Sequence, residues 1–254
     1  MSLKRLMAGV ALGIGLLASG QPALAAEPLD KPAVEAIVKN YLMEHPEVIV
    51  DAINAMQAKQ EAATAERQKK LLSDSMDTIL NGSQNAVLGN PEGDVTLVEF
   101  FDYNCGYCKR GLADMVKLLD TDKKLKVVLR DYPILSEGSK EAAIVALAVK
   151  KQLQGDKFLE FHQVLLGTRG AVGKDRALQV AQDSGVDMTK LQADMKDPAL
   201  LKGLASTMQL GEALGINGTP SYVLGSEITP GAVGYDALKS KIDSLRKCGQ
   251  TACG

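Results

Sequence analysis

The sequence predicts an α/β domain interrupted by a helical insertion and preceded by a helical extension. Strand patterns flank a helix soon after residue 82, strand grammar returns only near residue 221, and about 80 helical residues lie between them. Residues 27–80 contain no glycine and place their apolar side chains at helical spacing.

Taken in order, the N-terminus comes first. Lys4 and Arg5 precede the 13-residue apolar run Leu6–Ala18, and Ala23-Leu24-Ala25 follows it. A basic start, a short apolar core and an A-x-A site form a secretory signal peptide, cleaved after Ala25. The run is shorter than the roughly 20 residues needed to span a bilayer. Cleavage removes two of the 29 basic residues and none of the 31 acidic ones, leaving a net charge of about −4. No basic patch with interleaved aromatics is present, so no nucleic-acid partner is expected. An exported chain also works where disulfides persist.

Val34, Ile37, Val38, Tyr41 and Leu42 form one apolar stripe, which Pro46 ends. Val48, Ile49, Ala52, Ile53 and Met56 form a second, which fades into the polar Gln57–Lys70. A face that is apolar at one end only suits a protruding oligomerisation segment with a polar helical connector. Asn81-Gly82 stops the helix. Ala86–Leu88 and Val95–Phe101 then read as strands, Tyr107–Leu119 as a helix, and Leu125–Arg130 as a strand. Helices fill 137 to about 215. Strands return at Ser221–Leu224 and near Ile228, and a helix at Tyr235–Arg246 closes the domain. The expected boundaries are a signal peptide at 1–25, the oligomerisation segment and connector at 26–82, the α/β domain at 83–247, and a cysteine-containing tail at 248–254.

The chemistry centres on Asn104-Cys105-Gly106-Tyr107-Cys108, where a strand gives way to a helix. Backbone N–H groups and the positive helix end favour a thiolate at Cys105. Cys108, one turn on, is placed to resolve a mixed disulfide, the arrangement that thiol–disulfide exchange requires. A plain staple across so small a loop would stabilise little. A metal site joining this pair to Cys248 and Cys253 would span 139 intervening residues, unlike a compact zinc module. The two histidines, His45 and His162, lie far apart and read as structural, so neither a metal nor a cofactor is expected. In an oxidising compartment the default for Cys248 and Cys253, in KCGQTACG, is a structural disulfide.

With Gly218-Thr219-Pro220 just before the returning strand, the chain resembles the DsbA-like thioredoxin superfamily. It is most similar to the suppressor-of-copper-sensitivity protein C (ScsC) group, whose members carry an N-terminal helical extension. The resemblance covers Ala86 to Arg246 well, and residues 30–60 more loosely through YLMEHPEVIVDAI. It implies a thioredoxin fold with the insertion at about 137–215, Cys105 as nucleophile and Cys108 as resolving thiol. It also implies a cis Pro220 that, with Thr219, Gly106 and Tyr107, meets an extended substrate. Glu99, in the apolar strand VTLVEFF, matches the buried acid of DsbA-like proteins and would take the proton of Cys108.

DsbA itself has proline and histidine between its cysteines and valine before its cis-proline. Gly106-Tyr107 and Thr219 are instead like the choices of DsbC-type isomerases. A protein-disulfide isomerase or reductase of the periplasm is therefore expected, acting on misfolded or oxidised proteins. It would be reset by a membrane partner of the DsbD/ScsB type and assembled as a homotrimer, or else a dimer. The alternatives are a DsbA-type oxidase and, in another class, a copper(I)-binding or chaperone-like protein.

Overall fold

The computed structural model describes residues 30–82 and 84–253. The signal peptide expected at 1–25 lies outside the described residues. Contacts divide the chain after Ala58 into two units, each with its own character.

The first unit holds helix α1 (Lys31–Glu44) and the opening turns of α2 (Glu47–Asn81). Asp30 caps α1 by accepting the Ala33 N–H at 2.9 Å, and Pro32 sits in its first turn, where a missing N–H costs nothing. Pro46 forces the break that follows. No residue of α1 is buried, and Val34, Ile37, Val38, Tyr41, Ile49, Ile53 and Met56 all stand exposed. The amphipathic pattern expected from the sequence is present, with its apolar side uncovered.

The second unit is built on a five-stranded mixed sheet. Its strands are β1 (Ala86–Gly89), β2 (Val95–Phe101), β3 (Leu125–Asp131), β4 (Ser221–Leu224) and β5 (Glu227–Pro230), in the order β1-β3-β2-β4-β5. Only β2 and β3 run parallel, joined through helix α3 (Gly106–Thr121). Five helices, α4 (Glu137–Lys150), α5 (Asp156–Leu166), α6 (Lys174–Asp183), α7 (Met188–Asp194) and α8 (Pro198–Ala213), form the insertion between β3 and β4. Helix α9 (Tyr235–Cys248) closes the chain. This is the expected thioredoxin-type fold with a helical insertion and an N-terminal helical region.

Period-two alternation divides the sheet between two cores. Leu97, Phe101, Val127, Leu129 and Leu224 face α3, α9 and the insertion. Val98, Phe100, Val128 and Val223 face the opposite way, onto Leu72 and Ile79 of α2 together with Leu214 and Ile216. The end of α2 is thus core, although the polar Gln57–Lys70 stretch precedes it. The reason is a late apolar run, Leu71, Leu72, Met76, Ile79 and Leu80, at helical spacing. Arg130 fastens this end: it donates to the carbonyls of Thr78 and Ile79, to Asn85 and to Thr207 of α8. A buried cation here helps satisfy the carbonyls at the helix end, where Asn85 also donates to Ile79. Among the described residues no helix is long and apolar enough to cross a membrane.

Candidate active site

The loop between β2 and α3 is shaped by its own side chains. Asp102 accepts the Asn104 N–H at 2.8 Å through one carboxylate oxygen and the Leu135 N–H at 3.1 Å through the other. Asn104 donates to Val172 O at 2.8 Å and to Ser139 Oγ at 3.0 Å, and accepts the Val172 N–H at 2.6 Å. Lys109, one turn into α3, donates to the carbonyls of Thr168 and Gly170. Sheet, loop and helical insertion are thereby tied together around the start of α3.

Cys105 occupies the N-cap of α3, where four backbone N–H groups lack helical partners. Its sulfur accepts the Cys108 N–H at 3.3 Å, and its thiol faces the Thr219 carbonyl oxygen at 3.0 Å. The hydrogen bond from the Cys108 thiol does most to hold Cys105 down to about 5. Burial opposes it, while the N–H groups of Cys108 and Tyr107 assist. At pH 7 a thiol of that pKa is ~99% thiolate. Cys108 is driven the other way, well above its ordinary value, first by burial and then by its hydrogen bond to Cys105 and the nearby Glu99 carboxylate. One sulfur is a ready nucleophile and its neighbour is held as a thiol.

Glu99 is 3% exposed, on the sheet face that looks toward α3. Burial, and secondarily the Cys105 charge, push its carboxyl up to about 8. A carboxyl that titrates near neutrality close to a protonated thiol has the chemistry to exchange a proton with it. The Thr219–Pro220 peptide is cis, and the Thr219 Oγ1 is buried without a hydrogen-bond partner among the described residues. Gly106 and Tyr107 are exposed at the top of the site. A β-carbon at Gly106 would meet nothing within 4 Å, and the Tyr107 ring carries the Arg110 guanidinium at 4.0 Å.

The structure thus brings Cys105, Cys108, Glu99, Thr219, Pro220, Gly106 and Tyr107 to one place. Cys248 and Cys253 lie elsewhere, joined by a disulfide at the end of α9. Arg246, two residues before Cys248, grips Asp122 and Asp94, so this pair sits beside the end of α3 while Cys105 caps its beginning. Sixteen helical residues separate those ends by ~24 Å. His162 is wholly buried, its Nδ1 3.2 Å from the Tyr103 hydroxyl, and burial lowers it to about 3. It is a neutral packing residue at working pH, and among the described residues no cluster suits a metal ion.

Sequence reasoning gave no role to Asn104 or Lys109, and assigned no chemistry to Asp102. The partners of Asn104 and Lys109 lie 35 to 68 residues away, too far for any local pattern to reveal.

Comparison with known proteins agrees with this geometry. Residues 96–243 match the DSBA-like thioredoxin domain, and residues 30–63 match the copper resistance protein ScsC N-terminal domain. A thioredoxin-like oxidoreductase from Silicibacter pomeroyi DSS-3 is 43% identical, with a TM-score of 0.63 over 68% of this chain and 98% of that one. Proteus mirabilis ScsC in a transitional conformation is 29% identical, with a TM-score of 0.64 over 84% of this chain and 96% of that one. Among curated sequences, Na(+)/H(+) antiporter NhaA 3 of Salinispora tropica is 24% identical over 187 residues. That alignment takes in 72% of this chain but spans only 28% of the antiporter.

Proposed function

The chain belongs to the DSBA-like thioredoxin domain family, and on that footing we propose that it is a thiol–disulfide oxidoreductase working as a protein-disulfide isomerase and reductase. The observation that carries this reading is the opposed pair of thiols at the start of α3. Cys105 is held as a thiolate and Cys108 as a buried thiol, with the buried Glu99 beside them.

In the proposed reaction the Cys105 thiolate attacks one sulfur of a substrate disulfide. A Cys105–substrate bond forms, the substrate disulfide breaks, and its second sulfur leaves as a thiolate. For isomerisation, a thiol elsewhere in the substrate displaces Cys105 and leaves a new pairing, with no net change in redox state. For reduction, Glu99 accepts the Cys108 proton, and Cys108 attacks Cys105. The substrate leaves with both sulfurs reduced and the pair is oxidised by two electrons. Cys105 is only 5% exposed, so a substrate sulfur must enter between Tyr107 and the Thr219–Pro220 turn. An extended substrate strand would lie against that turn.

The uncovered apolar side of residues 34–56 would serve self-association, as a homotrimer on resemblance to the ScsC group. Several thiolates would then face one misfolded chain, which raises the effective concentration for reshuffling. The leader at 1–25 would deliver the chain to the periplasm, the Cys248–Cys253 disulfide would be structural, and a membrane partner of the DsbD/ScsB type would keep Cys105 reduced. The domain limits at 26–82, 83–247 and 248–254 are part of the same reading.

The test is reactivation of a scrambled multi-disulfide protein in a glutathione buffer. Reactivation lost on Cys105→Ser supports the isomerase. Fast oxidation of a reduced substrate without reactivation would replace it with a DsbA-type oxidase.

A further inference from the structure

The rim of the site on the side of α5 and α6 is basic. Lys109 reaches from the first turn of α3 to the carbonyls of Thr168, at 2.6 Å, and Gly170, at 3.1 Å. Arg176 of α6 reaches the same loop, its Nε donating to Thr168 Oγ1 at 3.4 Å. Arg169 lies between the two residues that Lys109 holds, and Arg110 follows Lys109 in α3. Asn104, next to Cys105, fixes Val172 further along the loop through both its N–H and its carbonyl. These cations therefore share one frame with the reactive cysteine.

The chain as a whole carries fewer basic than acidic residues, 29 against 31. Elsewhere on this unit cations meet carboxylates, as Lys140, Lys151, Lys190, Lys239, Lys241 and Arg246 do. Among the described residues, Lys109, Arg110, Arg169 and Arg176 have no carboxylate within ion-pair reach. Asp114, one turn beyond Arg110, and Asp175, beside Arg176, are near in the chain but do not pair with them. Lys109 and Arg176 are occupied in holding the loop. Arg110 and Arg169 stand exposed and anchor nothing there.

Arg110 is nevertheless placed. Its guanidinium carbon lies 4.0 Å from the centre of the Tyr107 ring, three positions earlier on the same helical face. Stacking uses the flat face of the guanidinium. Its N–H donors lie in the plane and stay available to a carboxylate, which they can hold by two parallel bonds. Tyr107 is 59% exposed and borders the entry by which a substrate sulfur reaches Cys105. The ring thus holds a positive charge where the flank of a substrate passes.

We propose that Arg110, together with Arg169, selects disulfides that carry carboxylates beside the attacked sulfur. This rests on the reading of Cys105 as the nucleophile. The substrate carboxylate meets the guanidinium, and the Cys105 thiolate attacks the nearer sulfur. A Cys105–substrate bond forms, and the second sulfur leaves with the electron pair of the broken disulfide. The cations take no part in the exchange of bonds. They raise the local concentration of anionic disulfides, which a thiolate alone would repel, and they orient them.

The test follows the first exchange of the reduced mature protein with two chromogenic disulfides at neutral pH. Ellman's reagent bears a carboxylate on each ring, whereas dithiodipyridine is uncharged, and each releases a coloured thiol when Cys105 attacks. The ratio of the two rates, anionic over neutral, should fall about twofold to fivefold in Arg110→Gln, the scale of an exposed charge pair. It should fall further when Arg169→Gln is added, and Arg110→Lys, which keeps the charge, should restore part of it. Salt at about 1 M should bring the wild-type ratio down to that of the double variant. Natural sources of the carboxylate separate in the same assay of thiolate consumption. A glutamate-flanked peptide disulfide, set against its glutamine counterpart, should lose the same factor in Arg110→Gln if polypeptides are selected, and glutathione disulfide should do so if small thiols are. A wild-type ratio in the double variant, or one indifferent to salt, would overturn the selection while leaving the dithiol intact. If Cys105→Ser still released colour from both reagents at the wild-type rate, the dithiol reading would fall and the selection with it.

Discussion

The Cys105 sulfur and the Thr219 carbonyl oxygen stand 3.0 Å apart, although 114 residues separate them in the chain. The carbonyl is aimed at the start of α3, where it accepts from the Cys105 thiol and has no proton to offer the thiolate. The Cys108 thiol, and after it the helix-end N–H groups, supply the balancing attraction.

That balance fixes an expected titration. Absorbance of the thiolate near 240 nm should rise with a midpoint near 5, set by Cys105, and Cys105→Ser should remove the rise. A nucleophile between thioredoxin, about 7, and DsbA, about 3.5, should give a reduction potential between about −270 and −120 mV. A value at the DsbA end, measured against glutathione, would favour oxidation over isomerisation.

Glu99 sets a pH dependence of stability. Its folded carboxyl is at about 8 against an ordinary 4.5, so the folded protein holds this proton more tightly than the unfolded chain. The group has no effect below about pH 4.5 and destabilises progressively up to about pH 8, by about 4–5 kcal/mol at most. Glu99→Gln should therefore raise the Tm of the reduced protein at pH 8.5 and hardly alter it at pH 4.5. In the reduced protein the Cys105 thiolate works in the opposite sense. Its stabilisation is complete above about 9 and fades as pH falls to about 5, so the stability of reduced over oxidised protein should grow across that interval.

Arg130→Met should cost about 2–4 kcal/mol in denaturant unfolding, because it strips partners from the end of α2 and from Thr207 in a buried setting. Exchange activity per folded molecule should be unchanged. A loss below about 0.5 kcal/mol would show that water replaces the guanidinium there.

The exposed stripe gives a test of assembly. Ile37→Asp with Ile53→Asp should leave a monomer by light scattering that still reduces insulin but reshuffles scrambled substrate poorly. Truncation should stop at Ala58, because Leu72 and Ile79 belong to the core of the second unit. An unchanged mass would place the assembly elsewhere.

Much of the fold was legible because its signals are local. The apolar run in VTLVEFF, the helix after Cys105 and the return of strand grammar at Ser221 all lie within short windows. The packing of Leu72 and Ile79 was masked by the polar residues before them, and only a partner surface assembled from β2, β3, β4, Leu214 and Ile216 gives that late run its meaning. The same holds within the site. Cys105, Cys108 and Thr219-Pro220 carry motif signals, and Glu99 is conspicuous as a charge in an apolar strand. Asn104 and Lys109 act through contacts that exist only once the chain is folded.

Gly106 opens onto empty space, and no element of the protein leans on it. Whatever side chain stood there would be felt by an incoming partner and by the sulfur beside it, and by nothing that keeps the chain folded. The position is therefore a dial mounted outside the machine. Selection, or an engineer, can retune the chemistry at that point in single steps without first repairing the architecture.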